Sequence, residues 1–276
     1  MQVSFLEGAR LNWCNARRKN AIFVIVNQGL IIPADEESQM AKAVLITGAS
    51  KGIGLAVAEK LAAQGTDVVG LARHAENTKF PGTLIACDLS KADETELVLS
   101  RVAGEFEIGG ILNNVGIASP QALGNIDLQV LESVFNLNVR AAVQVTQFFV
   151  ESMKQRRDGR IVNVCSRAIH GAVDRTAYAA AKSALVGCAK TWALELAEYG
   201  ITSNAVAPGP VETELFRKTR PVGSEAEKKV LSTIPMRRLG TTAEVAAAIC
   251  FLLSEEASFI TGQVIAVDGG GSLGGR

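Results

Sequence analysis

Val44-Leu45-Ile46-Thr47-Gly48-Ala49-Ser50-Lys51-Gly52-Ile53-Gly54 is the stretch from which the fold is read. A short, wholly apolar run suits a parallel strand buried on both faces. It ends in a glycine turn, and a helical stretch from Ile53 to Ala63 follows, closed by Gly65 as a helix stop. Strand, glycine turn and helix together make the setting a phosphate-binding turn needs. The glycines permit a tight bend and close backbone approach, and the helix start supplies free N–H groups and the positive dipole end. The spacing is T-G-x-x-x-G-x-G rather than G-x-G-x-x-G, so the glycines alone leave an ordinary βα turn equally open.

Outward from this stretch the same alternation repeats. Strands are expected at 67–71, 83–87, from 111, at 160–164, 203–206 and 264–267. Helices are expected at 92–102, over a long span 128–156, at 176–198 and at 243–253, and a polar stretch lies near 217–228. Strands alternating with helices imply an α/β, doubly wound (Rossmann) fold, a mostly parallel seven-stranded sheet with helices on both faces. Residues 40–276 read as one such domain, since no repeat, low-complexity linker or charge block divides them. Residues 1–39 read differently. They carry Trp13, the basic cluster Arg17-Arg18-Lys19 and a short apolar run broken at Asn27-Gln28. They lack a convincing signal peptide. Met40 directly precedes the first clean strand, and the purine-rich codons of Glu36 and Glu37 lie where a ribosome-binding site would. The expectation is a disordered extension or a mis-assigned start, with translation beginning at Met40.

Composition narrows the chemistry. The 276 residues carry 28 Lys+Arg and 28 Asp+Glu, so no net field draws nucleic acid or an anionic membrane. The longest apolar run, Val245 to Leu253, is too short to span a bilayer. Five scattered cysteines without C-x-x-C speak against a disulfide framework or zinc site and for buried thiols in a reducing cytosol. No metal is expected, and the localisation expected is cytoplasmic. With two histidines and two tyrosines, His-based triads have little room and phenol chemistry has two candidates.

Two further signals bear on a dinucleotide. After the second strand, Gly70-Leu71-Ala72-Arg73-His74 offers no acid for a ribose 2′-OH. Arg73, with Lys51 of the turn, suits a 2′-phosphate, which points to NADP(H). Tyr178-Ala179-Ala180-Ala181-Lys182 places a phenol and an ammonium on one helix face. The ammonium is expected to lower the phenol pKa and make Tyr178 a proton donor to a carbonyl. Tyr199 has no such lysine.

Taken together, the chain from Met40 onward resembles the short-chain dehydrogenase/reductase family, single-domain type. The resemblance rests on Thr47–Gly54, Asp88-Leu89, Asn113-Asn114-Val115-Gly116, Asn138, Ser166, Tyr178-x-x-x-Lys182, Asn204–Gly209 and Asp268-Gly269-Gly270, in that order. It departs at Val115, where the family usually has alanine. The resemblance implies Tyr178 as general acid/base, Lys182 as ribose ligand and proton relay, and Ser166 as a hydrogen-bond donor to the substrate oxygen. Asn138, chosen over Asn136 by the sequence that follows it, would hold a water linking Lys182 to solvent. Gly48, Ser50, Lys51, Gly52, Ile53, Gly54, Arg73 and Gly116 would line the cofactor site. Asp88 and Leu89 would flank adenine, Asn114 would approach the adenosine ribose, and Pro208, Gly209, Val211 and Thr213 would lie along the nicotinamide half.

The resemblance further implies an oxidoreductase interconverting a small-molecule ketone and a secondary alcohol, in a homo-oligomer, expected as a tetramer. A 3-oxoacyl-[acyl-carrier-protein] reductase, with an acyl carrier protein as partner, is the alternative. There Arg157 fits one carrier-facing position, while Tyr199 occupies the other. A non-catalytic dinucleotide-sensing regulator is the reading from a different class, and His170 stands either in the pocket or at its rim.

Overall fold

The computed structural model describes residues 42–76 and 79–273, together with the backbone of 25–26 and 29–30. It divides into two units, 1–40 and 41–276. In the first, β1 (Ile25–Val26) pairs antiparallel with β2 (Gly29–Leu30). The rest of that unit, and with it the expected extension or mis-assigned start, lies outside the described residues.

The second unit holds seven strands: β3 (Lys42–Thr47), β4 (Asp67–Ala72), β5 (Thr83–Ala86), β6 (Glu107–Asn113), β7 (Gly159–Val164), β8 (Ile201–Pro208) and β9 (Val264–Val267). They run in the order β5-β4-β3-β6-β7-β8-β9, and every pairing is parallel. The doubly wound expectation is met, and the sheet is parallel throughout.

Burial explains the strands. Residues 43–47 of β3, all of β7 and all of β8 are buried, as two-sided coverage demands. One face is covered by α1 (Gly52–Ala63) and α8 (Thr242–Leu253), where Val57, Ala58 and Leu61 meet Val245, Ala246 and Ile249. The i, i+1, i+4 spacing of the α1 set marks one helix face. On the other face lie α2 (Ala92–Glu105) and α4 (Ala141–Arg156), with Leu99, Val102, Val145, Phe149 and Met153 in one cluster. The long helix α5 (Thr176–Leu196) adds Leu185 and Ala189.

Two expectations need correction. The helix foreseen over 128–156 is interrupted: α3 (Leu128–Phe135) passes into a single π-helical turn, Asn136–Arg140, before α4. The Asn138 side chain donates to Val134 O at 2.8 Å, sharing the carbonyl that the helical ladder would use. The polar stretch near 217–228 contains two helices, α6 (Glu214–Thr219) and α7 (Glu225–Ser232). Their caps were readable: Thr213 accepts from Phe216 N, and Ser224 accepts from Glu227 N in an S-x-x-E pattern.

The chain leaves β3 toward β4 and β5 on one side and returns to β6 on the other. The strand order therefore reverses between β3 and β6, and the loops beyond their carboxyl ends bound a crevice.

Candidate active site

The crevice begins at the glycine turn. Gly48 takes φ +67°, and its N–H donates to Leu71 O at 2.8 Å, pinning the turn to β4. A Cβ on Gly54 would stand 2.5 Å from Gly48 O and 2.8 Å from Asn114 Nδ2, so no side chain fits there. Gly52 faces open space. No side chain caps α1, and its first turn carries no acid, so the helix start presents bare N–H groups beside Ser50, Lys51 and Ile53. This cradle fits a pyrophosphate.

Asn114 braces the turn. Its Nδ2 donates to Thr47 O (2.9 Å) and Gly48 O (3.0 Å), while Thr47 Oγ1 accepts from Asn114 N and Val115 N. The Asn114 amide hydrogens expected near a ribose are engaged by the protein itself. Arg73 is exposed directly after β4; hydrogen bonds from Ser90 hold the Asp88 carboxyl below its usual range, with smaller contributions from the charges of Lys91 and Arg73. Leu89 has its side chain in the core and offers a nucleotide only backbone.

The second group converges from β6, the π turn, β7 and α5. A Cβ on Gly116 would meet Asn138 Oδ1 at 2.4 Å and Lys182 Nζ at 3.2 Å, so these three positions adjoin. Asn138 is buried, with Nδ2 donating to Ile117 O (3.0 Å) as well as to Val134 O, and its Oδ1 has no partner among the described residues. Asn136 points elsewhere, donating to Ser90 O (2.7 Å) and accepting from Arg140 Nε (2.7 Å). Of the two asparagines, only Asn138 stands beside Lys182.

Lys182 is 3% exposed, and its single acceptor among the described residues is Val164 O at 2.8 Å. Burial pushes its amine down to about 8. Its Nζ lies 5.8 Å from the centre of the Tyr178 ring. Tyr178 is half-buried, and burial raises its phenol above the usual value, against a smaller lowering by the neighbouring Ser166 hydroxyl and the charge of Arg175. The lowered phenol expected from Lys182 is thus not what the fold produces: desolvation outweighs the nearby charges. Ser166 follows β7, and its Oγ accepts from Ala168 N at 3.1 Å.

Pro208 ends β8. Gly209 lies so close to Asp268 that a Cβ would stand 2.7 Å from Asp268 Cβ. The Val211 side chain is buried, and Thr213 Oγ1 is taken up as the α6 cap. His170 is exposed. Arg157 and Tyr199 precede β7 and β8, at the amino edge of the sheet and opposite the crevice. The Arg157 guanidinium donates to Glu198 O, and Lys154 Nζ stands 5.5 Å over the Tyr199 ring. Cys87, Cys165 and Cys250 are buried free thiols and Cys188 is half-buried. Among the described residues no His/Cys/Asp/Glu group is arranged to hold a metal, and no helix is long and apolar enough to cross a membrane.

Sequence reasoning missed Arg175, one helical turn before Tyr178, which carried no motif to mark it.

Residues 48–272 match the family model described as enoyl-(acyl carrier protein) reductase. The chain is 36% identical over 241 residues to the 3-oxoacyl-[acyl-carrier-protein] reductase MabA of Mycobacterium avium, covering 85% of this chain and 91% of that one. It is 37% identical over 243 residues to the 3-oxoacyl-[acyl-carrier-protein] reductase FabG of Thermotoga maritima, covering 83% and 97%. The solved structure of ElxO with NADP bound aligns with a TM-score of 0.78 at 31% identity, over 85% of this chain and 99% of that one.

Proposed function

The chain belongs to the short-chain dehydrogenase/reductase family of oxidoreductases, and from that premise we propose that it is an NADP(H)-dependent reductase interconverting a ketone and a secondary alcohol, with Tyr178 as general acid/base. The observation that carries the reading is the joining of two half-sites. Asn114 ties the glycine turn to the β6 loop, and Gly116 of that loop abuts Asn138 and Lys182, which adjoin Tyr178.

The bare start of α1 and the glycine turn would hold the pyrophosphate, and Arg73 with Lys51 the 2′-phosphate. The bound nicotinamide supplies the hydride that reduces the carbonyl carbon. Ser166 Oγ hydrogen-bonds the carbonyl oxygen and holds it at the phenol. Tyr178, kept protonated by its burial, gives its proton to that oxygen as the alcohol forms. A lysine ammonium has three donors. With Val164 O as the single named acceptor, Lys182 keeps donors for the nicotinamide ribose hydroxyls and for a water that returns a proton to Tyr178. The unpartnered Asn138 Oδ1, beside Lys182, receives that water.

The test is NADPH oxidation by the full chain across a panel of ketones, beside Tyr178→Phe. The variant is expected to bind NADPH and to lose turnover by about a hundredfold or more. Retained turnover in the variant would remove Tyr178 from this role. NADPH binding without turnover on any substrate would favour the dinucleotide sensor.

A second reading, reduction of a 3-oxoacyl group carried on an acyl carrier protein, is favoured by the activity named for the MabA and FabG relatives. Against it, Arg157 is engaged by Glu198 O and lies at the sheet edge away from the crevice of its own protomer. Comparing a 3-oxoacyl thioester on carrier protein with the same acyl group on a short thiol tests it; a carrier-dependent gain in kcat/KM supports it.

A further inference from the structure

Twelve arginines lie among the described residues. Nine donate from the guanidinium to a protein acceptor: Arg101, Arg140, Arg156, Arg157, Arg160, Arg217, Arg220, Arg237 and Arg238. Three have no such partner among the described residues, and all three lie in the segments beyond the carboxyl ends of the strands: Arg73 after β4, and Arg167 and Arg175 between β7 and α5. A half-buried arginine whose guanidinium donates to no protein group keeps its five N–H donors for an anionic ligand. Arg73 is accounted for by the 2′-phosphate. Arg167 Nη1 lies against the C-terminal strand exit, where a Cβ on Gly271 would stand 2.5 Å away. Arg175 remains.

Its position is held firmly. Gln121 and Arg175 form a parallel β-bridge, Gln121 N donates to Asp174 O at 2.9 Å, and Asp174 itself takes φ +58° to turn the chain into α5. Arg175 O then accepts from Ala179 N at 2.7 Å. Arg175 is the N-cap residue of α5, three residues before Tyr178 in its first turn, so both stand at the same end of that helix. The charge of Arg175 acts on the Tyr178 phenol in the lowering direction, against the larger effect of burial. The same bridge carries Gln121, whose side-chain oxygen is buried without a partner. A half-turn of that amide offers N–H donors instead.

We propose that Arg175 determines specificity for an anionic group on the substrate, a carboxylate one or two carbons from the carbonyl. The favoured substrates are then 2-oxo or 3-oxo acids and the corresponding hydroxy acids. This deepens the reading above and rests on Tyr178 marking where the carbonyl oxygen sits.

The experiment compares 3-oxobutanoate with its methyl ester, using the full chain with NADPH, as wild type, Arg175→Gln and Arg175→Lys. Arg175→Gln is expected to lower kcat/KM for the acid about tenfold or more, as loss of a charge-assisted hydrogen bond does. The ester is expected to lose far less than the acid, and Arg175→Lys to recover much of the loss on the acid. Equal losses on acid and ester, or no loss on either, overturn the proposal. A second measurement needs no turnover: malonate should raise the Tm of the wild type and not that of Arg175→Gln. An equal shift in both, or none in the wild type, also overturns it. Reduction of the ester with no preference for the acid leaves the ketone reductase standing and removes the anion site. Failure to reduce either ketone, with an Arg175-dependent malonate shift, does the reverse.

Discussion

The Lys182 ammonium lies 5.8 Å from the centre of the Tyr178 ring and is held in a fully buried position by Val164 O at 2.8 Å. A buried charge with one acceptor is a strained arrangement, and its consequence is measurable as stability. Lys182 has a folded value of about 8 against an ordinary 10.5. The charged form is therefore the one that folding disfavours. The penalty is absent above the ordinary lysine value, grows as pH falls, and is complete below about 8. Lys182→Met is expected to stabilise the protein at pH 7 by up to about 3 kcal/mol while removing turnover. Thermal denaturation at pH 7 and at pH 10.5 checks this. The gain should shrink at the higher pH, and a variant that melts below the wild type at pH 7 refutes it.

The same shift sets a kinetic limb. Below about 8 Lys182 is an ammonium and can return a proton to Tyr178; above it the amine is neutral. Tyr178 is raised above the ordinary phenol value by burial, so it stays a proton donor throughout this range. The profile of kcat/KM for NADPH, which reports the free enzyme, should be flat at neutral pH and fall as pH rises through about 8. Lys182→Arg, charged at every accessible pH, should lose that limb whatever its absolute rate. A limb that persists unchanged in Lys182→Arg assigns it to another group.

How far the sequence carried these arguments depends on which interaction decided each feature. The alternation of β3 to β9 with helices was readable because two-sided burial leaves short apolar runs, as in Val44–Ile46 and Ile161-Val162. Tyr178 and Lys182 were readable because an i, i+4 pair is local. The phenol's raised pKa was not, since it depends on how α5 is buried against neighbours distant in sequence. The π turn at Asn136–Arg140 was missed because it follows from one side chain, Asn138, reaching Val134 O and Ile117 O. Arg175 was invisible for a related reason: what sets it apart is the lack of a partner, and only packing reveals that.

Cofactor choice is expected to rest on Arg73. It is exposed at the end of β4 with no acceptor among the described residues, and no carboxylate occupies that strand end. Arg73→Ala should lower kcat/KM for NADPH about tenfold or more through KM, because a charge-assisted contact to a phosphate is lost. NADH, which lacks that phosphate, should be little affected. Steady-state kinetics with both dinucleotides decide the matter, and a wild type that prefers NADH refutes the assignment outright.

Gly116 is the point where the two halves of the site touch, and a single methyl group there should separate them. A Cβ would stand 2.4 Å from Asn138 Oδ1 and 3.2 Å from Lys182 Nζ. To admit it, the Asn138 amide must give up its bonds to Ile117 O and Val134 O, or the β6 loop must retreat from Lys182. Either response disturbs a buried polar group, at about 1–3 kcal/mol. Gly116→Ala is therefore expected to lower both Tm and kcat. Gly104→Ala is the matched control, because a Cβ there meets nothing within 4 Å in the last turn of α2. By helix propensity alone it should stabilise by about 0.5–1 kcal/mol and leave kcat unchanged. If Gly116→Ala behaved like Gly104→Ala, the contact between the glycine turn's loop and the Tyr178–Lys182 pair would carry no functional weight, and the two half-sites would have to be joined by some other route.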